Sequence, residues 1–231
     1  MDSSAFDKRR YPVVEPRAGY GEWAATYEGT VAVGLDAPLL AMPGLVPWAE
    51  VTAAADLACG TGRTGAFLKR QGIAAIDGVD ITPQMLALAE KKRVYRSLQV
   101  ADAAASRLEG AAYDLVTLSL ADEHIAALAP VYGEAARLLR RGGRFLLIGY
   151  HPFFIMNGMP THFHRADGEA VTIKTHIHLF ADHFAAGQGA GLSIVDLREC
   201  VIDEAWLETK PKWRSFLNWP VSFAMVWRKG G

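Results

Sequence analysis

The sequence predicts an α/β fold, a doubly wound and mostly parallel seven-stranded sheet that closes with an antiparallel C-terminal hairpin strand. Three observations carry that prediction. Short apolar runs of strand length alternate with segments of helical period from Val51 to Tyr150. The run Tyr113 to Leu120 is almost unbroken in apolar character, as a strand covered on both faces must be. Two further strand-like runs, near 192–202 and 221–228, end the chain with a short helical section between them, which suits a closing hairpin.

Hydrophobic residues make up 51% of 231 positions. That is enough for one sizeable core, so a single domain over 1–231 is expected. The first ten residues read as a disordered or loose arm. Tyr20 to about Met42 reads as one or two helices, ended by Pro43, Gly44 and Pro47. Residues 1–48 thus form an N-terminal helical lid or arm, and 49–231 the core. The first core strand falls at about 51–57 and is followed by a helix over 63–71 that stops near Gly72. A second strand at 75–80 leads to a helix opening on Pro83, a favourable first-turn residue. The third strand is placed at 96–101 and the fourth at Tyr113–Leu120. Val131, Ala135, Leu138 and Leu139, at i, i+4, i+7 and i+8, mark the next helix, with Pro130 at its start and Gly142 beyond its end. Strand five spans Arg144 to Tyr150; an insertion at about 151–179 follows, then a helix near 181–190.

Composition excludes several classes. Lys+Arg 24 against Asp+Glu 25 leaves a net charge of −1, and the basic triplet Lys91-Lys92-Arg93 reads as a solvated helix end, so no nucleic-acid partner is expected. Cys59 and Cys200 are too few for a disulfide framework and lack metal-ligand spacing. No window approaches a membrane span and the N-terminus has no apolar signal core, so a cytoplasmic monomer or homodimer with no membrane partner is expected.

The chemistry concentrates in Asp56-Leu-Ala-Cys-Gly-Thr-Gly62, directly behind the first strand. Gly60 and Gly62 let the backbone approach a ligand closely, and the amides from Arg63 onward open a helix N-terminus that favours a negative group. Ala58 lies in the same turn. Gly60-x-Gly62-x-x-Gly65 is also a literal dinucleotide fingerprint, and Asp80 stands where such a motif expects a ribose-binding acid. Both NAD and S-adenosylmethionine (SAM) sites use that acid. Asp56 and Asp102 discriminate: Asp56 is placed to reach the cationic methionine part of SAM, directly or through water, and Asp102 to accept from an adenine amine. A pyrophosphate would be repelled by Asp56.

The order D-L-A-C-G-T-G, G-V-D-I-T-P-Q-M-L, V-A-D-A, Y-D-L-V-T-L-S-L and L-L-R-R-G-G-R-F-L-L-I-G-Y resembles the class I SAM-dependent methyltransferases over about residues 51–150, with a weaker similarity through H-L-F-A-D-H and A-G-L-S-I-V-D-L-R-E. The resemblance implies a Rossmann-like core, SAM as cofactor and S-adenosyl-L-homocysteine as its product. It further implies that Asp80 takes the ribose, Ile81 and Met85 pack near the adenine, and Asp102 with Ala103 holds its amine. Ser119 then lines the methyl-transfer face, and Tyr27 covers the cofactor. Each has a plainer reading. Asp80 can cap the following helix, and Asp102 can be the N-cap of a helix over D-A-A-A-S. Tyr20, Trp23 and Tyr27 can be ordinary core.

Six of seven histidines, His151, His162, His164, His176, His178 and His183, fall within 33 positions. His162/His164 and His176/His178 have period-2 spacing around a hairpin-like R-A-D-G-E, which makes a four-histidine metal site conceivable. A polar hairpin rim is the preferred reading, and no metal is expected. His124 follows strand four and His151 follows strand five, where ligands bind in open α/β sheets, so both are candidate catalytic residues that would take a proton from the acceptor. Phe153, Phe154, Ile155, Met156, Met159 and Phe163 offer pocket material for an apolar or aromatic acceptor.

The function expected is methyl transfer from SAM to an O, N or C nucleophile of a small organic molecule. The chain lacks the Asn-Pro-Pro-Tyr type signature after strand four, which argues against methylation of a base or amide amine. Two alternatives stand: an NAD(P)-dependent oxidoreductase, which would need a Tyr-x-x-x-Lys or similar set that is not apparent, and a SAM-binding protein of this fold with another activity.

Overall fold

Residues 1–31 and 34–230 are described by a computed structural model. Residues 32 and 33, within the expected N-terminal helical span, and Gly231 lie outside the described residues. The chain begins with β1 (Val13–Val14), α1 (Pro16–Trp23), α2 (Tyr27–Thr30) and α3 (Ala37–Leu40). The core continues through β2 (Ala53–Leu57), α4 (Arg63–Arg70), β3 (Ala75–Asp80), α5 (Pro83–Lys91), β4 (Ser97–Val100), β5 (Tyr113–Ser119), α6 (Leu128–Leu138) and β6 (Leu139–Tyr150). The insertion carries α7 (Pro152–Met156), β7 (His162–His164) and β8 (Ala170–Ile173), and the chain closes through α8 (Phe180–Gly189), β9 (Leu192–Val201), α9 (Glu204–Thr209) and β10 (Pro220–Lys229).

The main sheet has seven strands in the order β4-β3-β2-β5-β6-β10-β9. Its first five members run parallel, and β10 is antiparallel to both β6 and β9. The period-2 alternation of strands sorts the core into two layers. Ala55, Leu57, Phe145, Leu147, Phe223 and Trp227 face α6 and α8. Ala54, Leu146, Ile148, Ala224 and Val226 face Leu39, Leu40 and Leu68 on α3 and α4. Among the described residues no helix is long and apolar enough to cross a membrane.

Three local readings are corrected. Residues 1–10 are packed rather than loose: the Ser3 amide donates to Thr175 O (3.1 Å), and Arg9 reaches His162 Nδ1 (2.8 Å) and Pro160 O (3.1 Å). No helix follows Asp102; Asp102 Oδ1 accepts from the Ala104 amide (2.8 Å) in a turn, and Ser106 is then anchored on Glu134. Helix α6 ends at Leu138, because Leu139 turns extended (ψ 139°) and pairs with Tyr113, starting β6 five residues before Arg144. The R-A-D-G-E turn does join β7 to β8, but His176 and His178 lie beyond β8, so the two histidine pairs are not opposed. His178 Nε2 meets Ile125 O (2.7 Å) and His162 is taken by Arg9. Among the described residues no three His, Cys, Asp or Glu side chains gather as metal ligands.

Candidate cofactor and acceptor site

The carboxyl ends of β2, β3, β4 and β5 open onto one cavity of ≈ 500 Å³, at the switch point where ligands bind in such sheets. Its wall includes Tyr27, Ala58, Gly60, Asp80, Ile81, Met85, Asp102, Ala103, Ser119 and His124. Asp56, Gly62 and His151 are outside this wall.

The turn after β2 is built for close approach. Ala58 and Gly60 both adopt positive φ (51° and 55°), a conformation costly for alanine and held by its surroundings. Among the described residues, a Cβ built on Gly60 meets nothing within 4 Å, so the space beside this backbone is open to a ligand. Asp80 locks the turn: Oδ2 accepts from the Gly60 amide and Oδ1 from the Thr82 amide, both at 2.8 Å. Each oxygen keeps a further lone pair, so holding the backbone and binding a hydroxyl are compatible. Burial raises its pKa above the ordinary carboxylate value.

Gly62 and Gly65 serve packing rather than the cavity. A Cβ on Gly65 would lie 2.3 Å from the Tyr95 ring and one on Gly62 2.9 Å from it. Tyr95 thus occupies the concave side of the turn, a role nothing in its sequence position signals. Its hydroxyl donates to Asp56 Oδ2 and Thr117 Oγ1 donates to Asp56 Oδ1, each at 2.7 Å. Asp56, only 1% exposed, is therefore directed into the sheet and not toward a ligand. Burial raises its carboxyl to about 6, against the opposing effect of the two hydroxyl donors.

The rest of the wall fits an adenosine-like group. Ile81, 41% exposed, and buried Met85 give the wall apolar surface for a purine. Asp102 lines the same wall, exposed and with acceptor capacity beyond the Ala104 amide. Among the described residues, Thr61 Oγ1 and Ser119 Oγ are buried without a partner, in the same wall. Unpaired buried hydroxyls are costly, and a polar ligand would satisfy them. The Arg63–Asp36 ion pair (2.6 Å) lines the same cavity.

His124 is set for proton transfer. Its Nδ1 lies 2.8 Å from Lys174 O, which can only accept, so Nδ1 carries the hydrogen and Nε2 accepts from Tyr20 OH at 2.9 Å. Glu123 Oε1 lies 3.6 Å from Nε2. Burial keeps the Tyr20 phenol protonated, far above its ordinary pKa, so it acts as a donor to His124. Tyr20, Trp23 and Tyr27 do cluster, with Trp23 and Tyr27 edge to face at 4.8 Å, although the helix breaks between α1 and α2.

His151 is held elsewhere. Its Nδ1 accepts from the Phe153 amide (3.2 Å), capping α7, so Nε2 carries the hydrogen and donates to Glu199 Oε1 (2.8 Å). Burial lowers its pKa in spite of that carboxylate. Of the six apolar residues expected around an acceptor, Phe154, Met159 and Phe163 line a second cavity; Phe153, Ile155 and Met156 do not.

Comparison with known proteins agrees with this geometry. Residues 55–147 match the family model described as a methyltransferase domain. A demethylmenaquinone methyltransferase of Thermus thermophilus is 36% identical over 102 residues, which span 42% of this chain and 46% of that protein's length. A SAM-dependent methyltransferase from Mesorhizobium loti superposes with a TM-score of 0.69 at 20% identity, over 84% of this chain and 98% of the other. A geranyl diphosphate C-methyltransferase from Streptomyces coelicolor, solved with S-adenosyl-L-homocysteine, gives 0.57 at 15% identity over 77% and 69% of the two chains. At such identities the structural likeness is one of fold.

Proposed function

We propose that this chain, which carries a class I SAM-dependent methyltransferase domain, methylates an O, N or C nucleophile of a small, apolar or aromatic organic molecule. The observation that carries the reading is the open Gly60 cradle pinned by Asp80 at the carboxyl ends of the parallel strands. SAM supplies an electrophilic methyl group on a sulfonium, and S-adenosyl-L-homocysteine is its product.

The chain's own residues divide the work. Asp80 holds ribose hydroxyls, Ile81 and Met85 flank the adenine, and Asp102 with Ala103 receives its amine. Gly60 and Ala58 bring backbone against the amino-acid part, while Thr61 and Ser119 offer the unpaired hydroxyls. Asp56, through its side-chain bonds to Tyr95 and Thr117, and Gly62, through its close approach to Tyr95, are positioning residues behind the turn. Tyr27 and Tyr20 close the methyl-bearing end against water. When the nucleophile is a hydroxyl or amine, its proton passes to Tyr20 oxygen as Tyr20 passes its own to His124 Nε2, leaving an imidazolium beside Glu123. A carbon nucleophile needs the same relay only if it must first lose a proton.

Sulfonium methyl transfer is downhill, so positioning and exclusion of water do much of the work. Of the two histidines offered by the sequence as proton acceptors, we assign the role to His124 with Tyr20, since both line the cavity and His151 does not. The reading also takes the protein to be cytoplasmic, monomeric or homodimeric, with no nucleic-acid partner.

The test is product analysis with methyl-labelled SAM over a panel of phenols, aromatic amines and activated carbon acids. Label in an organic product, reduced in His124→Asn, supports the proposal. Intact SAM bound without label transfer to any of these would leave a SAM-binding protein with another activity.

A further inference from the structure

The second cavity, ≈ 630 Å³, shares Tyr20, Tyr27 and Leu120 with the first, so one thin partition separates them. Much of its remaining wall is aromatic. Trp23 stacks on Phe163 at 5.3 Å with an interplanar angle of 8°, and Phe154 packs on Trp213 at 5.4 Å. These paired rings give the space aromatic walls.

Its charges are segregated by depth. Glu123 is 2% exposed and lies beside the partition, within 3.6 Å of His124. Lys210 is half-buried and Lys212 exposed, and both line the same cavity. Arg9 is already committed to Asp7, His162 and Pro160. Nearby Arg214 has Glu204 at 3.3 Å, whereas among the described residues neither lysine has a carboxylate partner. Two neighbouring cations at a partly desolvated mouth favour an anion. Burial and the adjacent Lys212 ammonium both lower the Lys210 pKa, as unneutralised charge should.

We infer that the second cavity is the acceptor site and that the acceptor is an aromatic acid, its ring between the Trp23–Phe163 and Phe154–Trp213 walls and its anionic group on Lys210 and Lys212. Lys210 and Lys212 fix the end of the cavity at which that group sits. The acid therefore enters with its reacting end first, toward Tyr20 and Leu120. This rests on the methyltransferase reading and names the class of its acceptor.

The experiment is calorimetric titration of the protein saturated with S-adenosyl-L-homocysteine, using 4-hydroxycinnamate and its methyl ester, which has nearly the same shape without the charge. The acid is expected to bind about tenfold more tightly than the ester. That preference should disappear in the Lys210→Ala/Lys212→Ala double variant, both side chains lying toward the surface, with S-adenosyl-L-homocysteine affinity unchanged. Equal binding of acid and ester, binding of neither to the saturated protein, or a preference that survives the double substitution overturns the inference. Failure of S-adenosyl-L-homocysteine itself to bind removes the cofactor reading beneath it, and is seen before any acceptor is added.

Discussion

Asp56 and Asp80 end neighbouring parallel strands, and their surroundings send them to different work. Asp80 meets two backbone amides at the cavity, while Asp56 meets two hydroxyls inside the sheet. Burial holds the Asp56 carboxyl at about 6 against an ordinary 3.8. An acid whose folded value is the higher one favours folding while protonated, so its contribution is whole below pH 3.8 and lost as pH rises through about 6. The loss is on the order of 3 kcal/mol. Stability measured by urea unfolding from pH 4 to pH 7 should therefore fall more in wild type than in Asp56→Asn. Equal pH slopes in the two proteins would contradict the assignment. At the partition, Tyr20→Phe removes only the hydroxyl that meets His124. For a hydroxyl acceptor, kcat should drop about 10²-fold with S-adenosyl-L-homocysteine affinity nearly unchanged; an unchanged kcat would remove the relay. Asp80 was legible because a glycine turn and a strand end define its place. The burial of Asp56 was not, since Tyr95 lies 39 residues away and nothing local predicts their contact.

At the scale of elements, the parallel strands and the closing hairpin follow from apolar runs and their spacing, because backbone pairing demands little else. Helix ends were less legible: α6 stops where Leu139 finds Tyr113 as a sheet partner, a long-range pairing that overrides its helical period. The histidine-rich hairpin shows the same limit. Its turn was readable from R-A-D-G-E, but whether the rings converge depended on how far β8 extends. Helix α8 sits so close to β10 that a Cβ on Gly187 would stand 2.4 Å from the fully buried Trp227 ring. Gly187→Ala should cost about 1–3 kcal/mol through overpacking, lowering Tm by about 2–4 °C per kcal/mol. A Tm within error of wild type would show that the helix can shift outward freely. His151 illustrates how an element fixes a side chain against expectation, because capping α7 and pairing with Glu199 turn it from the cavity.

Across the whole molecule, the N-terminal residues, the insertion and the sheet edge meet around two adjoining cavities. Sequence reading located the first through its glycines and acids. The second combines positions from Arg9 to Phe216, which no local pattern joins. Removing residues 1–11 would delete Arg9 and Tyr11 from that second wall while leaving the Asp80 turn intact. Such a truncation should raise the acceptor KM by about tenfold and leave S-adenosyl-L-homocysteine binding within about twofold; the reverse pattern would place the arm over the cofactor instead. The central claim is that the Asp80-pinned turn is a SAM site, and calorimetric titration with S-adenosyl-L-homocysteine and, separately, NADH tests it most directly. Micromolar binding of the first alone, weakened at least tenfold in Asp80→Ala, is the result predicted. Binding of NADH in its place, or S-adenosyl-L-homocysteine affinity indifferent to Asp80→Ala, would contradict it.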